Sequence, residues 1–467
     1  MRLSACISMC LPMLIALMIP VQSAPAATGP RFWKWAPTPP MGWNSYDAWG
    51  TSVNQQEVLA NARYMAKYLR SHGWKYVIID ARWYDRTSSL SDRELNRQRA
   101  GAQLYADAFG RLLPAPNRFP SAEGGDGFKA LAAQVHAMGL KFGFHMMRGI
   151  PRQDFRSNTP IAGSRYTARN AVDMKSVCGW CPDMYGVRDN AAGQAWYNSC
   201  AQLWASWGVD FVKVDDLSSP YHKDEIAMIR RAINACGRPI VLSTSAGPTP
   251  LWAAKDVATH ANMWRISGDF WDRWNDLDRQ FDLLARWQKY VGPGHWADAD
   301  MIPFGHIGIK NSIAGGNRET RFTANEQRTL LSLWSLGSSP LMLGDNLPDT
   351  DAWTLSLLTN DEVIAVDQDP LGRPARRIQE GGGREVWVKT LKNGTAIGLF
   401  NRSSKASEIT LYWRDAKLTG RETLRNLWTH KNIGTFEQKY AARVPAHGVV
   451  LLLARRRENS RDSPTAK

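Results

Sequence analysis

From Pro39 to about Asp351 one pattern recurs: a short apolar run rich in β-branched residues, a loop carrying acids or tryptophans, a helical stretch, then a glycine. This is alternating β and α. The predicted strands lie at 41–47, 76–83, 141–147, 209–216, 239–245, 263–269, 295–302 and 339–345. Eight such runs are the number that closes a (β/α)8 barrel. Helical stretches are predicted between them at 55–71, 127–138, 194–207, 223–236, 277–290 and 324–335, several stopping at a glycine such as Gly73, Gly139 or Gly208. The longest loop, about 148–190, is expected to overhang the mouth of the barrel.

After Pro370 the texture changes to alternating segments such as EVWVKTL, TAIGLFN, EITLYW and GVVLLLA, separated by Gly, Asn and Lys turns. The 467 residues are about three times the commonest domain length, so two domains fit better than one. The expected organisation is an export signal at 1–26, an α/β barrel at 31–368, an all-β domain of antiparallel sandwich type at 370–454 and a basic tail at 455–467. With 44% apolar and 22% charged residues the chain is far from the disordered class. The β domain lacks concentrated acids or histidines, so a supporting role is expected of it.

Lys plus Arg (58) exceed Asp plus Glu (43), yet the excess is spread along the chain, so no nucleic-acid partner is expected. The opening MRLSACISMCLPMLIALMIPVQSAPAA has a basic start, an apolar run and small residues at Ala24 and Ala26, the pattern of a cleavable export signal. No later run approaches the roughly 20 apolar residues of a membrane span, so a secreted or periplasmic location without membrane insertion is expected. Export permits disulfides. Cys178 and Cys181, in CGWC, read as a local loop disulfide, and Cys200, in a helical stripe with Trp196, Leu203, Trp204 and Trp207, as a buried thiol.

Side chains at the C-terminal ends of barrel strands face a common mouth, which singles out Asp80, Asp215, Asp269 and Asp300. Residues two apart share a strand face, so Lys213 and Asp215 point the same way. A lysine there holds a carboxylate ionised, which suits a nucleophile, so Asp215 reads as nucleophile and Asp269 as acid/base. Of 21 tryptophans, Trp43, Trp83, Trp264 and Trp296 adjoin these acids. Flat apolar faces beside carboxylates match a sugar ring, making carbohydrate the expected partner. A metal-dependent barrel hydrolase would need clustered ligands, but the nine histidines are scattered and only His145 and His295 fall on predicted strands. No metal and no cofactor are expected.

The stretches PPMGWNSYDAWG, YVIIDARW, KFGFH, VDFVKVDD, WRISGD, WADADM and LGSSPLMLGDNL, in this order, resemble glycoside hydrolase family 27, the α-galactosidase (melibiase) family, over roughly residues 37–455. The resemblance implies a (β/α)8 barrel followed by an antiparallel β domain. It implies a retaining double displacement with Asp215 as nucleophile and Asp269 as acid/base, the carboxyls about 5–5.5 Å apart. By position it also implies that Asp80, Lys213, Arg265 and Asp300 bind sugar, with Trp43 and Tyr46 near the pocket wall.

Four places depart from the family pattern. Ala81 stands where α-galactosidases carry a second acid that holds the O4 and O6 edge of galactose. His145 replaces a tyrosine, Ser245 or Ala246 replaces the group near O2, and Leu217 replaces a half-cystine. The expected function is removal of terminal α-galactosyl or closely related residues. Relatives with the same chemistry cleave isomaltose units from dextran, β-L-arabinopyranosides or α-N-acetylgalactosaminides. A non-catalytic carbohydrate-binding protein is the alternative of another class, against which the retained Lys213, Asp215, Arg265 and Asp269 argue.

Overall fold

A computed structural model describes residues 29–86 and 104–456. The predicted export signal and most of the basic tail lie outside the described residues; Arg455 and Arg456 end the last strand.

Eight strands form one parallel sheet: β1 (Met41–Asn44), β2 (Tyr76–Ile79), β3 (Lys141–Met147), β4 (Phe211–Asp215), β5 (Val241–Thr244), β6 (Met263–Arg265), β7 (Trp296–Asp298) and β8 (Leu341–Leu343). From β2 to β7 each strand pairs with its predecessor, and β8 pairs with β1. An isolated parallel bridge between Ile302, just beyond β7, and Leu343 of β8 closes the ring. All eight predicted strands are therefore present, several shorter at their C-terminal ends, where the chain turns out to build the mouth.

Helices α1 (Gln55–Tyr64), α2 (Lys129–Ala137), α3 (Ala191–Ser206), α4 (Lys223–Ala235), α5 (Trp274–Trp287) and α6 (Ala324–Gly337) occupy the predicted stretches. Asn54 with Glu57, and Thr323 with Glu326, form capping boxes that start α1 and α6 by satisfying exposed N–H groups. The helix predicted to 71 changes to a π turn at Met65–Leu69 and a 3-10 turn at Arg70–His72.

Period-two alternation divides the strand residues between two cores. Tyr76, Ile78, Phe211, Val241, Met263, Trp296 and Met342 fill the inside of the barrel. Trp43, Val77, Ile79, Phe142, Phe144, Val212, Val214 and Trp264 pack outward in the core that includes the helices. Gly42 faces the crowded side of β1, where a Cβ would lie 2.4 Å from the Tyr76 carbonyl oxygen.

The 148–190 segment is more than a loop. It holds two short helices, Arg152–Ser157 and Ala168–Ala171, and a small antiparallel sheet of Ile150–Pro151, Met184–Val187 and Val172–Asp173. The expected Cys178–Cys181 disulfide is not formed: both residues are thiols. Cys181 Sγ donates to Asp183 at 3.5 Å, with Arg82 Nη1 3.9 Å away.

The C-terminal domain pairs a six-stranded antiparallel sheet with a two-stranded one. Val386, Val388, Ile397, Leu399, Ile409, Leu411 and Leu452 form its core. It is seated on α6: Lys389 Nζ donates to the Ser335 carbonyl at 2.8 Å and to Ser338 Oγ at 2.7 Å, and Thr329 Oγ1 to the His447 carbonyl at 2.8 Å. No described helix is long and apolar enough to cross a membrane.

Candidate active site

At the C-terminal ends of the strands lies a cavity of about 370 Å³, within the size range of small-molecule sites. Tyr46, Asp80, His145, Lys213, Asp215, Arg265, Asp269 and Asp300 all line it. Two predicted site residues do not. Trp43 is fully buried on the outward face of β1 and donates its indole N–H to the Asp345 carbonyl at 2.6 Å. Ser245 is fully buried beside Asp215, while the following Ala246 and Gly247 face the cavity.

Asp215 ends β4 on the inward face. Its Oδ2 lies 2.9 Å from His145 Nε2, and Ser245 Oγ donates a short hydrogen bond to Oδ1. Burial pushes this carboxyl's pKa up. The positive fields of His145 and Lys213, with hydrogen bonds from His145 and Ser245, more than offset that, leaving Asp215 well below the usual carboxylate range. The direct ion pair of Lys213 is with Asp80, 2.9 Å away, so it acts on Asp215 from one strand face without being its first partner. His145 has that place, since β3 and β4 run side by side with His145 opposite Lys213.

Asp80 follows β2 and also accepts from Asn44 Nδ2 at 2.7 Å. Burial raises its pKa, but Lys213 and His145 outweigh this and the net shift is downward. Lys213, although desolvated, is raised by Asp80 and Asp215 and is held as a cation. Arg265, the last residue of β6, reaches Asp300 Oδ2 at 2.8 Å and Asp269 Oδ1 at 3.2 Å. Asp300, in the left-handed region at φ 82°, accepts from the Phe270 N–H at 2.8 Å. Burial, opposed by Arg265, pushes Asp300 up to about 6. Asp269 differs from the other acids: it stands in the loop after β6 with its side chain 57% exposed, at the open end of the cavity.

The site therefore brings a buried carboxyl whose pKa is held low and a solvent-reachable one to the same cavity, among fixed hydrogen-bonding groups. The tryptophans singled out from sequence serve packing: Trp83 and Trp264 sit in the outer core, and Trp296 inside the barrel donates to the Ala36 carbonyl at 2.8 Å. The rim is apolar by other residues, Trp180, Trp271, Met301 and Ile313, of which Trp180 comes from the 148–190 segment. Asp47 also lines the cavity and escaped the sequence reading.

Arg148 holds the floor behind Asp215. Its N–H donates to the Asp215 carbonyl at 3.1 Å, and its guanidinium reaches Asp216 Oδ2 at 2.9 Å and Glu225 Oε1 at 2.7 Å, all buried. Arg148→Ala would strand two buried acids without their cation, an expected loss of about 3–5 kcal/mol. Denaturant unfolding of the variant measures it; a loss below about 1 kcal/mol would refute this view of the floor.

A buried carboxylate at a strand end, a second acid at the mouth and a sugar-sized cavity in a (β/α)8 barrel are the parts of a glycosidase. Residues 186–369 match the model of α-galactosidase A, and residues 381–454 that of the α-galactosidase C-terminal β-sandwich domain. An α-galactosidase of Cyamopsis tetragonoloba is 30% identical over 420 residues, covering 88% of this chain and 84% of that one. α-Galactosidase A of Cellvibrio japonicus is also 30% identical, covering 94% and 96%. The crystal structure of a β-L-arabinopyranosidase from Geobacillus stearothermophilus superposes with a TM-score of 0.88 at 46% identity, covering 92% and 99%. The chain belongs to glycoside hydrolase family 27.

Proposed function

We propose that this protein is a retaining exo-glycosidase that removes a terminal sugar with the ring configuration of α-galactose, Asp215 acting as nucleophile and Asp269 as acid/base. In the first step Asp269 gives its proton to the departing glycosidic oxygen while Asp215 attacks the anomeric carbon, forming a glycosyl-enzyme. In the second, Asp269 takes a proton from water, which displaces Asp215 and releases the sugar. The observation that carries this reading is geometric: Asp215 and Asp269 line one cavity, and the buried Asp215 carboxyl is held between His145 Nε2, 2.9 Å from its Oδ2, and the Ser245 hydroxyl on its Oδ1. Following the anomeric signals of the first-formed product by NMR tests it: retention is expected, and inversion would overturn the double displacement.

One observation favours a pentose within this substrate class. β-L-Arabinopyranose has the ring configuration of α-D-galactopyranose without its C6 hydroxymethyl group. Ala81 lines the cavity where a second acid would hold O6, and the 46%-identical relative is an arabinopyranosidase. A lost hydrogen bond to a charged acceptor removes about 10- to 150-fold of discrimination, so galactose gains little here from its extra group. With aryl glycosides, kcat/KM for the arabinopyranoside should equal or exceed that for the α-galactoside to within about tenfold. A preference for the galactoside beyond about 100-fold would sink the pentose reading. Residues 1–26 support export of the enzyme to the periplasm or beyond.

A further inference from the structure

Asp47 is 4% exposed, lines the cavity, and has no hydrogen-bond partner for its Oδ2 among the described residues. A buried carboxyl without partners is costly and calls for an occupant. Its position is set by the main chain around it. Asp47 belongs to the one-turn helix Tyr46–Trp49 that follows β1. The Asp47 carbonyl accepts from Gly308 N at 2.9 Å, the Ala48 carbonyl from Lys310 N at 2.9 Å, and the Tyr46 carbonyl from Asn311 Nδ2 at 2.8 Å. Gly344 makes room for the carboxyl, since a Cβ there would lie 2.0 Å from Asp47 Oδ2. The acid is thus held in place, with its hydrogen-bonding capacity left over.

In the ring of strands β1 stands across the axis from β5, the strand that leads to Ser245 and so to the Asp215 side of the cavity. A pyranose placed with its anomeric carbon at Asp215 and its far edge toward β1 would meet Asp80, which follows β2, and Asp47, in the turn of helix that follows β1.

We propose that Asp47 is a substrate-contacting residue that binds a ring hydroxyl on the edge remote from the anomeric carbon, supplying the second acid that Ala81 does not. The inference rests on the reading of Asp215 and Asp269 as the cleaving pair. Its consequence is that specificity for the far hydroxyl edge resides in the segment after β1, one strand before the one where this family's sequence pattern places it.

The test is competitive inhibition by D-galactose and its 3-deoxy and 4-deoxy analogues, measured on the wild-type enzyme, Asp47→Ala and Asp47→Asn. In the wild type, one deoxy analogue should bind about tenfold or more worse than galactose. In Asp47→Ala that penalty should shrink below about threefold, with galactose itself weakened to match. Asp47→Asn, which keeps a hydroxyl-binding group, should restore the penalty in large part. Neither variant should lower Tm, because the carboxyl has no protein partner for its buried oxygen to lose. A deoxy penalty that is unchanged in Asp47→Ala, or a fall in Tm with equal weakening of all three sugars, overturns the inference. If the wild type cleaves neither aryl glycoside, the functional reading fails and this inference falls with it; if it cleaves them, the two stand or fall separately.

Discussion

Asp215→Gly should lose at least about 10⁴-fold in turnover, because it removes the carboxylate proposed to attack the anomeric carbon. The loss should be chemical and not structural. His145, Lys213 and Ser245 come from β3, β4 and the residue after β5, and their strands are held by the sheet. The vacancy left by the carboxylate is flanked by those same groups, which suits a small anion. Added azide should therefore restore turnover and give a glycosyl azide of inverted anomeric configuration, since one displacement now replaces two. NMR of the product distinguishes the outcomes. A variant that keeps near-normal activity without azide would show that Asp215 is not the nucleophile.

The second large effect is expected at the mouth. Asp269→Ala should cost about 10²–10⁴-fold in kcat/KM on substrates whose leaving group is a sugar alcohol needing protonation. For an aryl glycoside with an acidic phenol, the first step needs no proton, and the loss should be less than about tenfold. Release of the glycosyl-enzyme still needs a base, so such a substrate should show a burst of phenol and a lowered KM. Azide, which needs no deprotonation, should relieve the slow step. Equal losses on both kinds of substrate would assign Asp269 to binding alone. Its exposure fits the acid/base role: with its side chain 57% exposed, Asp269 can exchange its proton with solvent.

The alternation of strand and helix was legible because period two and period 3.6 leave different marks on the spacing of apolar residues. The same rule put Lys213 and Asp215 on one face, and both do line the cavity. Applied to β6 it would have put Trp264 on the opposite face from Arg265, and the structure has Trp264 in the outer core. Adjacency in sequence to an acid was thus a poor guide to which tryptophan meets a ligand. The rim tryptophans, Trp180 and Trp271, stand in connecting segments with no periodicity to read.

Local pattern alone determined the barrel, the β domain after it, and the strand-end acids Asp80 and Asp215, since each depends on a side chain's place within its own strand. Tertiary structure decided the rest. That His145, and not Lys213, is in direct contact with Asp215 follows from the register of two strands about 70 residues apart. That Cys178 and Cys181 are both free, with Cys181 donating to Asp183, is a feature of the folded loops and not of the CGWC spacing. Asp47 enters the cavity because hydrogen bonds from Gly308, Lys310 and the Asn311 side chain hold its helix there and Gly344 makes room. Such contacts join segments far apart along the chain, and a spacing rule that spans a few residues carries no information about them.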